Sequence, residues 1–332
     1  MSFPEKIYYE PKALDYELGA YLSQKYTASD WIAIESHNNI PELRARPNSD
    51  FAAMKRFLII GIRKTHKYVD NHKVSDYLVP YTSSGCTAAC LYCYLVCNYN
   101  KCSYLRLFVN REQMLDRLMK VARESSRELT FEIGSNSDLV LENTITGNLA
   151  WTIERFAAGQ RGFITLPTKF SMVEPLLQLN HAGRVIFRMS VNPEEIISRV
   201  EIGTSPLHKR IDAVNKMCEA GYRVGLLIAP VILCEGWEEK YARLIEKLEA
   251  GLSPAVKKIG FLEIIFMTYS FVHRAINADA FPEADPLYCP ALMTGRGRGK
   301  YCYNIKARET GEAFLTERLL RALPNMPIIY IA

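Results

Sequence analysis

The stretch Gly85-Cys86-Thr-Ala-Ala-Cys90-Leu-Tyr-Cys93-Tyr94 follows a strand-like run, Tyr77–Ser83, and places three cysteines within eight residues. Thiolates so closely spaced can share one metal centre. The chain has nine cysteines, and with no secretory signal pattern at its start a reduced, metal-binding use suits them better than a disulfide framework. Two readings of the donors are open. Cys97 would add a fourth thiolate for a structural zinc site, but such sites usually combine two paired knuckles. The spacing Cys-x3-Cys-x2-Cys suits a [4Fe-4S] cluster in which one iron is left without a protein ligand.

Outward from this stretch, short apolar or β-branched runs alternate with longer segments of helical period. Strands are expected at Tyr77–Ser83, Leu129–Gly134, Phe163–Pro167, Val185–Val191, Val224–Ile232 and Ile259–Phe266, and helices near 110–125, 147–157, 171–179, 206–220 and 237–249. The alternation predicts βαβ units in an α/β fold, a partial (β/α)6 TIM-like barrel with N- and C-terminal additions. The expected division is an α/β extension over 1–76, the barrel over 77–270, and a substrate-binding extension over 271–332. Within the first of these, residues 1–56 read as a mixed helical lead-in with polar, Pro-bearing loops around Asn38–Arg46, ahead of a strand at Phe57–Ile62. A closing helix near 311–323 and a short strand, Ile328–Ile331, are expected to end the chain. Right-handed crossovers bring the carboxyl ends of parallel strands to one face, so chemistry is to be sought just past each strand.

Composition narrows the class. A chain of 332 residues with 48% hydrophobic and 23% charged content is long enough to bury a large core. No apolar run reaches the ~20 residues that span a bilayer, so a cytoplasmic protein without membrane contact is expected. The balance of 41 basic against 36 acidic residues is too even to imply nucleic acid by itself. Locally the balance differs, for Thr294-Gly-Arg-Gly-Arg-Gly-Lys300 is rich in glycine and arginine.

The Cys-x3-Cys-x2-Cys arrangement is the signature of radical S-adenosylmethionine (AdoMet) enzymes, in which AdoMet chelates the open iron and is cleaved to a 5′-deoxyadenosyl radical. Further motifs narrow the likeness. They are Ser36-His-Asn38, Gly61-Ile-Arg63-Lys-Thr65, Cys90-Leu-Tyr92-Cys93-Tyr94, Phe131-Glu-Ile-Gly-Ser135-Asn-Ser-Asp138, Thr168-Lys169, Phe187-Arg-Met-Ser190-Val-Asn192, Ala229-Pro230 before Glu235-Gly-Trp237, and Gly299-Lys-Tyr301. In these the chain resembles the spore photoproduct lyase family.

The resemblance implies cluster ligands Cys86, Cys90 and Cys93 and AdoMet contacts Ser137, Asp138, Lys169, Ser190 and Asn192. It implies as substrate a DNA thymine dimer joined through a methylene bridge, and as partner a one-electron donor such as flavodoxin or ferredoxin. Reaching the lesion requires extruding it from the duplex, and Arg296, Arg298, Lys300, Tyr301 and Tyr303 offer cations and rings for that surface. Read without the resemblance, Asp138 and Asn192 suit helix capping better and Lys169 solvent, while residues 294–300 suit a solvated loop as well as a DNA contact.

The likeness breaks at Ser135, where the best-known members place the cysteine that returns hydrogen to the product radical. A serine O–H bond is much stronger than a thiol S–H bond, so Ser135 cannot take over. Cys234 past the fifth barrel strand is the preferred substitute, with Cys97, Cys102, Tyr92 and Tyr94 as alternatives. Cys218 falls on a helical stretch and reads as packing. Two other functions remain open: a related radical enzyme acting on another lesion, modified base or peptide, and a zinc-dependent nucleic-acid-binding module.

Overall fold

The structure is a computed structural model that describes residues 3–97, 104–159 and 161–332. Two compact units emerge, one of residues 1–89, 95–166 and 179–184, the other of 90–94, 167–178 and 185–332.

In the first unit the lead-in is more β than its sequence suggests. Lys6–Tyr9, Asp30–Ala33 and Phe57–Gly61 pair in parallel, and Leu105–Phe108 continues the sheet beside Phe57–Gly61. The run Lys6-Ile-Tyr-Tyr9 is too short for its alternation to stand out, and pairing with the fully buried Phe57–Gly61 supplies what local pattern lacks. Ile7, Leu18, Leu22, Leu58, Ile60, Leu105 and Leu107 form its core, each burial contributing about 1.5–3 kcal/mol. The barrel strands Tyr77–Leu78, Thr130–Glu132 and Phe163–Thr168 pair in parallel in sequence order.

The motifs around His37 and Gly61 explain each other here. Glu10, buried, accepts hydrogen bonds from His37 N–H at 3.0 Å and Ile62 N–H at 2.9 Å, and pairs with His37 Nδ1 at 2.8 Å. Burial alone would push the Glu10 carboxyl up, but those bonds outweigh it and hold the pKa at about 2. Gly61 lies against the His37 ring, where a Cβ would come within 2.6 Å of Nδ1.

In the second unit Val185–Val191, Arg223–Val231, Phe261–Phe266 and Ile328–Ile331 form a parallel sheet in that order. Helix Leu207–Glu219 packs on the first two strands through Leu207, Ile211, Val214 and Met217, a helical spacing. Cys218 is buried on the same helix as expected, and burial pushes its thiol pKa up. Arg188 and Glu263, both almost wholly buried, join across the intervening strand by two bonds of 2.8 and 2.9 Å.

Four local expectations change. The helix expected over 171–179 is only a 3-10 turn, Glu174–Leu176, because Pro175 removes a donor and Ala182 and Gly183 turn left-handed soon after. Helix Leu139–Thr146 precedes Asn148–Ala158, the two separated by Gly147 at φ 68, a conformation that costs glycine little. Helix Phe271–Ala280, capped by Ser270, has no counterpart in the expected pattern, and the closing helix starts at Ile305, capped by Asn304. The Gly- and Arg-rich segment is not a loop but a hairpin, Met293–Gly297 with Lys300–Tyr303, turned by Gly297, Arg298 and Gly299, all at positive φ. No helix among the described residues is long and apolar enough to cross a membrane.

Gly61→Ala should destabilise the chain by about 1–3 kcal/mol in urea unfolding, through displacement of His37. The Glu10 contribution is present above its ordinary value of 4.5 and lost as pH falls towards about 2. Glu10→Gln should therefore flatten the acid limb of a stability–pH curve, and an unchanged limb would refute the assignment.

Candidate active site

Cys86 begins the loop with its sulfur already polarised. The Ala88 N–H donates to Cys86 Sγ at 3.3 Å, and buried Lys55 donates to the Cys86 carbonyl at 3.0 Å. Gly85, at φ 79, accepts from Ser137 Oγ at 2.8 Å and donates to the Asn136 carbonyl at 2.8 Å. The turn carrying Ser135 and Ser137, just past Thr130–Glu132, is thereby stitched to the residue before Cys86.

Glu142 anchors the stitch. Its carboxyl, fully enclosed, receives Thr82 at 2.9 Å, Ser83 at 2.5 Å and Asn148 at 2.7 Å, and Ser83 also reaches Ser137 at 2.8 Å. Burial pushes the Glu142 pKa up despite those donors. Asp138 caps helix Leu139–Thr146 through Leu141 N–H at 3.2 Å, as the bland reading of that residue allowed.

In the second unit the loop continues with Cys90 to Tyr94. Leu91 N–H donates to the Val200 carbonyl, and Asn277 Nδ2 on helix Phe271–Ala280 donates to the Leu91 carbonyl at 2.9 Å. Tyr92 donates its hydroxyl proton to Glu201 Oε1 at 2.5 Å. Asn192 Nδ2 reaches the same oxygen at 2.9 Å, Lys169 Nζ lies 3.5 Å from it, and Arg210 Nη2 holds Oε2 at 2.6 Å. Burial alone would raise the Glu201 pKa, but the charges of Lys169 and Arg210 and the bonds from Tyr92 and Asn192 hold it at about 2. Tyr92 moves the other way, its pKa raised by burial and by the neighbouring Glu201 charge.

Lys169, just past Phe163–Thr168, is therefore no solvated surface residue: it bonds Ser190 Oγ at 2.5 Å and the Ala229 carbonyl at 2.9 Å. Asn192 caps no helix, since its amide is held between Glu201 and the Tyr241 hydroxyl, 3.1 Å away. Lys169, Ser190 and Asn192 thus meet at the carboxyl ends of their strands, where the barrel reading placed them.

A family profile described as spore photoproduct lyase matches residues 2–332. The chain belongs to the spore photoproduct lyase family. The spore photoproduct lyase of Bacillus subtilis (strain 168) is 33% identical over 98% of both chains, and that of Clostridium acetobutylicum 28% identical over 90% of both. A solved spore photoproduct lyase complexed with dinucleoside spore photoproduct superposes with a TM-score of 0.91 at 28% identity over 99% of both chains. A double mutant with bound AdoMet and the same dinucleoside gives 0.92 at 27% over the whole of both. The fold class is thus that of the family, an α/β partial barrel of the radical AdoMet type.

Among the described residues no three His, Cys, Asp or Glu side chains stand close enough to hold a metal ion. Cys86, Cys90 and Cys93 offer soft thiols at the expected spacing, and the Ala88 N–H bond to the Cys86 sulfur is of the kind that tunes a thiolate-bound cluster. Cys102 and the Cys97 side chain lie outside the described residues. Cys234 follows Arg223–Val231, half-buried, with Lys240 Nζ 3.4 Å from its sulfur. Tyr94 is 52% exposed.

Of the residues expected to meet DNA, Arg296, Arg298 and Lys300 are exposed on the hairpin. Tyr301 contacts Phe271 and Tyr288 at centroid distances of 5.5 and 4.7 Å. Tyr303 departs from expectation: at the end of its strand it is buried, edge-on to Phe266, with its hydroxyl accepting from Leu233 N–H.

Sequence reasoning missed Lys55, Glu142, Glu201, Arg210 and Asn277. Only Glu142 carried a faint signal, an acid on the apolar helix Leu139–Thr146. Glu142→Ala would strand several buried donors at roughly 1–3 kcal/mol each, whereas Ser137→Ala deletes a single hydroxyl worth about 1 kcal/mol. Urea unfolding should rank Glu142→Ala well below Ser137→Ala in stability, and equal costs would refute the anchoring role.

Proposed function

We propose that this chain is a carbon–carbon lyase that returns spore photoproduct in DNA, 5-thyminyl-5,6-dihydrothymine, to two thymines. The observation that carries the reading is the whole-chain match to a spore photoproduct lyase holding that dinucleoside. Cys86, Cys90 and Cys93 hold a [4Fe-4S] cluster, which with AdoMet supplies, when bound, a carbon-centred radical able to take hydrogen from an unactivated C–H bond.

The chain's own residues bind and orient. Lys169 offers an ammonium to the AdoMet carboxylate, Ser190 and Asn192 flank it, and Ser137 and Asp138 serve the ribose or ammonium. Arg296, Arg298 and Lys300 neutralise phosphates, while Tyr301 offers a ring for stacking, within a C-terminal extension over 271–332. A flavodoxin or ferredoxin supplies the electron.

Cys234 returns hydrogen to the thymine radical in place of the thiol absent at Ser135, and Tyr94 relays hydrogen between the site and the adenosyl group. The serine also favours a second reading, a related radical enzyme acting on another lesion or modified base.

Anaerobic incubation with synthetic lesion dinucleotide, AdoMet and reductant should yield the repaired dinucleotide, and its absence from an iron-replete protein would favour the second reading. Cys234→Ala should depress repair relative to 5′-deoxyadenosine released, and Ser135→Cys should restore the ratio. Arg296→Ala with Arg298→Ala should weaken DNA binding and make the slope of log affinity against log salt shallower by about 2.

A further inference from the structure

Lys169, the cation assigned above to the AdoMet carboxylate, already has a carboxylate of its own chain at 3.5 Å. Were Lys169 the sole counter-charge of Glu201, the pair would be neutral and would attract a second carboxylate weakly.

Arg210 changes that count. Its side chain and that of Glu201 are both 0% exposed, and Nη2 lies 2.6 Å from Oε2. The other donors of Arg210 are spent on neutral oxygens: Nε on the Ser205 carbonyl at 2.7 Å, Nη1 on the Ser190 carbonyl at 2.9 Å and Nη2 also on Thr204 Oγ1 at 2.7 Å. An enclosed guanidinium with its forks so committed cannot reach a ligand, yet its charge remains. Two cations against one anion leave the group with one net positive charge. Lys169, bonded to the neutral Ser190 and Ala229 oxygens, has a side chain 20% exposed, whereas those of Glu201 and Arg210 are sealed from solvent.

The other oxygen of Glu201 sets direction. An ionised carboxylate only accepts, so the Tyr92 hydroxyl hydrogen and one Asn192 N–H point at Oε1, and the Tyr241 hydroxyl fixes the far end of the Asn192 amide.

We propose that Glu201 and Arg210 are positioning residues for the reaction. Arg210 balances Glu201 so that Lys169 keeps its charge for the carboxylate of AdoMet, while Glu201 orients Tyr92 and Asn192. The inference rests on the assignment of Lys169 to AdoMet.

The test compares the reconstituted full-length parent with Arg210→Met and with Arg210→Met/Glu201→Gln. Each is titrated with AdoMet and with decarboxylated AdoMet, which lacks the group Lys169 would meet. Arg210→Met should lose at least about ten-fold in AdoMet affinity and little for the decarboxylated analogue. The double variant, neutral at both positions, should regain AdoMet affinity to within about three-fold of the parent, a non-additivity that a packing role would not produce.

AdoMet binding unchanged in Arg210→Met, or a double variant as weak as the single, would overturn the proposal. Should Arg210→Met fail to fold, the double variant decides alone: a retained preference for AdoMet over its analogue supports the pair's role, and a lost preference ends it. A parent that binds no AdoMet would instead defeat the functional reading on which the inference stands.

Discussion

A carboxylate sealed from water is tolerable only if its charge is met, and that requirement organises the second unit. Glu201 is fully enclosed, and the groups that meet its charge arrive from four separate segments: Tyr92 from the cysteine loop, Lys169 beyond one strand, Asn192 at the end of the next and Arg210 from a helix. Removing any one would leave part of a buried ion unsatisfied, the costly case among buried ion pairs. The same geometry that solves the electrostatic problem sets the directions of the Tyr92 and Asn192 side chains.

The first unit uses a related device. Glu142 gathers hydroxyl and amide donors from Thr82, Ser83 and Asn148, and Ser83 passes the connection to Ser137 and so to Gly85. Lacking a cationic partner among those donors, Glu142 has its pKa raised, where Glu201, met by two cations, has its pKa depressed. Both carboxyls serve rigid placement, the condition under which a radical reaction can be confined to one C–H bond.

Membership of the spore photoproduct lyase family sharpens the significance of Ser135. The family's hydrogen-returning thiol is replaced at that turn by a hydroxyl whose O–H bond a carbon radical cannot profitably break. The turn itself is held to the residue before Cys86 through Gly85 and Ser137. The departure is thus one of chemistry at a single side chain, with the surrounding architecture intact.

Alternating apolar runs and helical periods were enough to place five of the six barrel strands, because buried parallel strands are read from their own residues, whereas the run expected over Tyr77–Ser83 divides into Tyr77–Leu78 and Ser83–Ser84, the latter pairing with Leu105–Phe108. The cysteine spacing marked Cys86, Cys90 and Cys93 as candidates, and the family resemblance marked Lys169, Ser190 and Asn192. The sequence could not reveal the short strands Lys6–Tyr9 and Asp30–Ala33, whose stability comes from neighbours distant in the chain. Nor could it reveal Glu201 and Arg210, which look like ordinary charged residues, one after a short helix and one within an amphipathic one. Ligand spacing and strand periodicity are local properties and survive in one dimension. The pairing of buried charges depends on which distant segments meet, and only the tertiary structure decides that.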